Sequence, residues 1–156
     1  LSINAASDQA QQRQPPAERR MTRGTLGVDR RELAAVAAGG SAGALLRVWL
    51  VREFAAPAGT WPWVTLAVNV SGAIALGYLA TRLQERLPQS TFRRPLLGTG
   101  FCGAYTTFST VQVEILRMLE HGRVGLALGY AATSVTLGYA GVWLASAAVR
   151  RTRLIA

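Results

Sequence analysis

Four long stretches with almost no charge dominate this chain: "LAAVAAGGSAGALLRVWLV" (33–51), "PWVTLAVNVSGAIALGYLAT" (62–81), residues 95–113 leading to Glu114, and 124–149. Each is close to the ~20 residues with which a helix crosses a bilayer core. In lipid every backbone N–H and C=O must be paired within the protein, so uncharged stretches of this length have to be helical. Short segments carrying Pro57, Gly59 and Pro62, then Pro88 and Pro95, and finally Gly122 separate them. The predicted fold is an all-α membrane protein with spans at about 33–51, 62–81, 95–118 and 124–149, forming one domain over 32–150. Connections this short make consecutive helices antiparallel neighbours and leave no room for a soluble catalytic domain.

The charges sit where this reading needs them. All seventeen basic residues are arginine, and the formal net charge is +9. A nucleic-acid binder would gather them on one face with interleaved aromatics, whereas here they cluster at the ends of the spans. Arg19, Arg20, Arg23, Arg30 and Arg31, the loop residues Arg82, Arg86, Arg93 and Arg94, and Arg150, Arg151 and Arg153 share one side. Arg52, Arg117 and Arg123 occupy the other, a bias of twelve to three. Because basic flanks are retained in the cytoplasm, both termini are predicted cytoplasmic in a multi-pass protein of the bacterial inner membrane.

Residues 1–31 are rich in Gln, Ala, Pro and Arg without apolar periodicity, and are predicted to be a disordered tail. Met21 offers an alternative start within it, and 151–156 form a basic C-terminal tail. One cysteine, Cys102, and one histidine, His121, exclude an intrachain disulfide and a cysteine- or histidine-based metal cluster. No Ser-His-Asp or phosphate-loop constellation is present, so the chain does not read as an enzyme.

The spans carry chemistry all the same. Gly39 with Gly43, and Gly125 with Gly129, have the spacing that lets helix backbones approach closely in lipid, as Gly72 and Gly77 also can. The third span, "GTGFCGAYTTFSTVQVE" (98–114), holds interior glycines and a run of threonines, all weak helix formers, which predicts a break near Gly103–Thr106. Carbonyls freed by a break need a partner, either threonine hydroxyls of the same helix or a cation held by backbone oxygen. Gly103, Thr107, Thr110 and Glu114 follow at helical spacing beside Phe108, a polar stripe suited to an ion path or an interhelical contact. Arg47 is the charge inside the first span, either paired with Glu114 or reaching out to the interface. Asn69 lies mid-span, and Tyr130 and Ser134 are one turn apart. Together with the electropositive edge of Phe108 they form a neutral donor set that replaces an anion's water without trapping it.

These residues carry a resemblance. "GTGFCGAYTTFST" followed by Glu114, "AVNVSG", "GGSAGALLR" and the pattern Tyr130-x-x-x-Ser134-x-x-x-Gly138 resemble the CrcB/Fluc fluoride channels over roughly residues 35–149. The resemblance implies a channel passing fluoride passively to lower its toxic cytoplasmic level. It implies an antiparallel dimer of four-helix subunits with a structural, non-transported sodium ion held by backbone carbonyls at the third-span break, those of Gly103 and Thr106 by motif position. It also implies an ion pathway through Asn69, Phe108, Tyr130 and Ser134, with Arg47, Thr107, Thr110 and Glu114 in support.

One position departs from the family. Where "TTFSTF" is usual this chain has Val111, which offers no aromatic edge to an anion. The twelve-to-three arginine bias also opposes dual insertion of one sequence, so the chain is expected to be one half of an oppositely oriented heterodimer rather than a homodimer. Two alternatives stand beside this reading. One is an exporter of the small multidrug-resistance type, which would need a carboxylate in mid-span where this chain has Arg47. The other is a non-conducting partner subunit of a channel.

Overall fold

The computed structural model describes residues 29–85 and 92–151. Most of the tail expected to be disordered, and Arg19, Arg20, Arg23, Arg86 and Arg153 of the charge count, lie outside the described residues.

Helix α1 spans Arg30–Glu53 and starts at Asp29, whose carboxylate accepts from the Arg31 N–H at 2.9 Å. That cap, with Glu32 in the first turn, satisfies an orphan donor and complements the positive end of the helix dipole. Gly59, at φ +73°, makes the turn into α2, Trp63–Glu85. The third segment comes in pieces. Helix α3, Arg94–Cys102, is wound with the wide π-helical hydrogen bonding and leads directly into one α-helical turn, α4, Gly103–Tyr105. Thr106 (φ −77°, ψ 155°) and Thr107 (φ −146°, ψ 121°) are then extended before α5, Phe108–Glu120. Helix α6, Val124–Arg151, closes the chain after Gly122 at φ +70°.

The regular elements among the described residues are thus all helices, and α1, α2 and α6 are long and apolar enough to cross a membrane. The segment expected as the third span is helical but divided, so it is not among those three, and its interruption lies at Thr106–Thr107, the downstream edge of the expected break. Gly103 itself keeps helical angles (φ −63°, ψ −35°).

The helices pair out of chain order. Helix α1 packs mainly on α3 and α2 mainly on α6; α1 and α2 scarcely touch, which corrects the expectation of neighbouring consecutive helices for that pair, while α2 with α3 and α5 with α6 do meet. Glycine explains the choice. A Cβ on Gly39 would run into the Leu96 carbonyl and one on Gly43 into the Phe101 carbonyl, so α1 and α3 meet backbone to backbone. Gly77 lies close against Val142, though less tightly, with a Cβ there 2.8 Å from the carbonyl oxygen. Gly125 and Gly129 have no such neighbour: a Cβ on the first meets nothing within 4 Å, and on the second only Trp61 at 3.8 Å.

These contacts also give direction. Gly39 faces Leu96 and Gly43 faces Phe101, so α1 and α3 run the same way. Thr65 faces Glu114, Asn69 faces Thr107 and Gly72 faces Thr106, so α2 runs against them. A small core of Leu66, Val111, Met118, Ala127 and Tyr130 joins α2, α5 and α6. Large apolar side chains such as Trp49, Leu128, Val135, Tyr139 and Trp143 point outward instead, an exterior suited to lipid or a second subunit rather than water.

Candidate functional site

The break in the third segment is the organising feature. Thr106 still bonds back to Cys102, but the backbone groups of Thr107 have no helical partner, and a side chain from another helix serves them instead. Asn69 of α2 clamps Thr107 at both backbone groups: Nδ2 donates to the Thr107 carbonyl at 3.0 Å, and Oδ1 accepts from the Thr107 N–H at 2.8 Å. Arg47 of α1 donates through Nε to the Ala104 carbonyl at 3.0 Å. The Cys102 carbonyl takes both the Thr106 N–H at 3.1 Å and the Thr106 hydroxyl at 3.0 Å. No comparable bond reaches the carbonyls of Gly103 and Thr106 among the described residues. The space beside Gly103 is also open, since a Cβ there would meet nothing within 4 Å.

Arg47 is therefore bound to a carbonyl beside the break rather than to Glu114. The polar stripe is likewise shorter than expected. Gly103 precedes the break, leaving Thr107, Thr110 and Glu114 on the α5 side. Thr107 is the N-cap of α5: its hydroxyl accepts from the Thr110 N–H at 3.2 Å and lies 2.9 Å from the Thr110 hydroxyl. Below it, Glu114 accepts from Thr65 at 2.6 Å and from the Tyr130 hydroxyl at 2.8 Å, one donor per carboxylate oxygen. A half-buried carboxylate held by two hydroxyls from two neighbouring helices is a satisfied group that also ties α2, α5 and α6 together.

The four residues expected along an ion path thus divide into two kinds. Asn69 and Tyr130 are engaged with protein groups, and Tyr130 is fully buried, with Trp61 edge-on to its ring at 5.6 Å. Ser134 and Phe108 are not. The Ser134 hydroxyl is buried beside Tyr130 with no partner in hydrogen-bond geometry, and the Phe108 ring is 76% exposed on the surface of the subunit. Val111, one turn beyond Phe108, turns inward and packs with Leu66, Met118, Ala127 and Tyr130.

Three contributors escaped the sequence reading. Thr65 looks like any other span threonine until its hydroxyl is seen on Glu114. Trp61, whose indole N–H is buried without a partner, gave no signal beyond its place before Pro62. The π winding of α3 has no periodicity that could have announced it, although Gly98 and Gly100 mark a segment with little side-chain bulk.

Comparison with known proteins identifies relatives of this chain. Residues 34–146 match the family model described as CrcB-like protein, Camphor Resistance (CrcB). The chain is 57% identical over 126 residues to the fluoride-specific ion channel FluC 1 of Mycolicibacterium paratuberculosis, covering 81% of this chain and 96% of that protein. It is 56% identical, with the same coverage, to FluC 1 of Mycobacterium tuberculosis. FluC 2 of Nocardia farcinica is 42% identical over 118 residues, 76% of this chain and 84% of that one.

Proposed function

This chain belongs to the CrcB-like family, and from that membership we propose that it is a fluoride-specific channel subunit of the bacterial inner membrane, moving fluoride passively and lowering its cytoplasmic level. The observation that carries the reading is the broken third segment, with its unbonded carbonyls and the exposed Phe108 ring that follows it, together with the buried, unpaired Ser134 hydroxyl on α6. Fluoride is small and strongly hydrated, so a path for it must replace water with neutral donors. In this account Ser134 and the edge of Phe108 supply donors, while Asn69 and Tyr130 hold the frame: Asn69 fixes the break and Tyr130 fixes Glu114.

The residues at the break also fit a structural sodium ion. The Gly103 and Thr106 carbonyls are hard oxygen donors without a hydrogen-bond partner, and no cluster of His, Cys, Asp or Glu suited to a metal exists among the described residues. Sodium would hold the break rigid by balancing these dipoles. Two oxygens are too few to replace a cation's hydration shell, so a second subunit supplying the same pair completes the set. That requirement, together with the apolar exterior, supports an antiparallel dimer.

The arginine bias of twelve to three supports a homologous partner of opposite orientation. Val111, buried in the core of this subunit, is consistent with a chain that contributes fewer aromatic edges to the shared pores than its partner does. The test is survival on fluoride of a strain stripped of its own fluoride export and supplied with this chain, a homologous partner, or both. Rescue is expected only with both. Rescue by this chain alone overturns the obligate pairing, and no rescue in any combination overturns the channel reading.

A further inference from the structure

A cavity of about 290 Å³ opens beside Glu114, between the end of α1, the loop into α2, and α5. Its lining includes the hydroxyl residues Thr65, Ser109 and Thr110 and just two charged residues, Glu114 and Arg117. We propose that Arg117 makes this cavity an anion-collecting antechamber, a role that rests on the channel reading and assigns to it a residue outside the expected pathway.

The argument is electrostatic. Glu114 faces the same space as any anion approaching Thr110, and by itself its charge would repel fluoride at the mouth of the path. Both of its oxygens are turned to protein donors, Thr65 and Tyr130, so they add nothing to anion binding. Arg117 lies one helical turn beyond Glu114 on the same face of α5 and is the cation close enough to act on that carboxylate. It is exposed at the rim, so its charge both offsets Glu114 and presents a positive potential to the solvent side. Low-dielectric walls focus such a potential and raise the local concentration of small anions.

The loop that forms the opposite wall is pinned, which keeps the antechamber open. Arg123 donates through Nη1 to the Gly59 carbonyl at 3.1 Å, and the His121 ring packs against Gly59 while its Nδ1–H donates to the Arg117 carbonyl at 2.7 Å. The side chain of Arg117 is thus left to the cavity, while its backbone serves the loop.

The local potential is read with a thiol placed at Val113, another lining residue, in the full chain paired as the protein works. The native Cys102 is 1% exposed and stays silent, with the parent protein as control. Modification rates by a negatively and a positively charged methanethiosulfonate are compared in V113C and R117Q/V113C. Removing one charge ~6 Å from the probe in water-like dielectric changes each rate roughly threefold in opposite senses, so the anionic-to-cationic ratio falls about tenfold at low ionic strength. The gap closes to within about twofold near 1 M salt, where the Debye length is ~3 Å, and R117K/V113C keeps the parent ratio. Fluoride flux through R117Q falls about threefold at low salt and recovers at high salt, in step with the same screening. A ratio that ignores R117Q, or a difference that survives high salt, overturns the proposal. Absence of fluoride flux in the parent would instead count against the channel reading, and the thiol ratio would still decide the potential of the cavity.

Discussion

Replacing Asn69 with Ala is the sharpest test of how the break is held. The native amide makes two bonds to one residue, 2.8 Å to the Thr107 N–H and 3.0 Å to its carbonyl, and Thr107 is only 8% exposed, so water does not readily take over. Leaving a buried donor and acceptor unpaired costs about 1–3 kcal/mol each, whereas side-chain hydrogen bonds between membrane helices average nearer 0.6 kcal/mol. These are backbone groups in an extended segment with no helical alternative, so we expect a loss of about 2–4 kcal/mol. If most of it appears in unfolding, the inactivation rate in detergent rises roughly 30- to 900-fold. N69D should lose about half as much in free energy, since a carboxylate still accepts from the Thr107 N–H but cannot donate to the carbonyl. The assay is the decay of helical circular dichroism at fixed temperature, with T65V as a reference that removes one interhelical bond to the Glu114 carboxylate. An N69A protein decaying within threefold of the parent would refute the clamp.

Other outcomes follow from the same geometry. Gly43→Ala drives a Cβ into the Phe101 carbonyl and should cost about 1–3 kcal/mol through separation of α1 and α3, while Gly125→Ala, with open space around it, should stay within about 0.5 kcal/mol; thermal inactivation of the pair checks this. Glu114→Gln keeps one acceptor for Thr65 or Tyr130 but loses a charge-assisted bond, so a drop of about 1.5–3 kcal/mol is expected in the same measurement. Val111→Phe should not simply add an aromatic edge: it overpacks the core around Tyr130 and is expected to destabilise by about 1–3 kcal/mol, with unchanged stability as the contrary result. Exchanging sodium for an organic cation too large for the carbonyl site should lower dimer stability by about 1.4 kcal/mol per tenfold change above its dissociation constant, and a dimer indifferent to sodium would remove the ion from the account.

Much of this fold could be read from the residues, because lipid leaves few options. The uncharged stretches gave α1, α2 and α6 nearly to their ends, and the glycines and threonines of 98–110 marked the third segment as interrupted. What the sequence could not supply was the partner of each polar group. Asn69 and Thr107 are 38 residues apart, and Arg47 and Ala104 57 apart, and in both pairs one member acts through its backbone, which no side-chain pattern reveals. The same limit explains the neighbour error. Gly39 and Gly43 advertised close packing, but only the wide, bare backbone of α3 identified where it would occur.

The central claim is that this chain passes fluoride as one member of an oppositely oriented pair. Fluoride-electrode recordings of efflux from liposomes test it most directly, using the purified chain alone, the homologous partner alone and the two together, with chloride efflux as control. The account predicts rapid fluoride release from the paired preparation, little from this chain alone, and no chloride release above empty liposomes. Equal fluoride and chloride release, or no fluoride release from the pair, would contradict it.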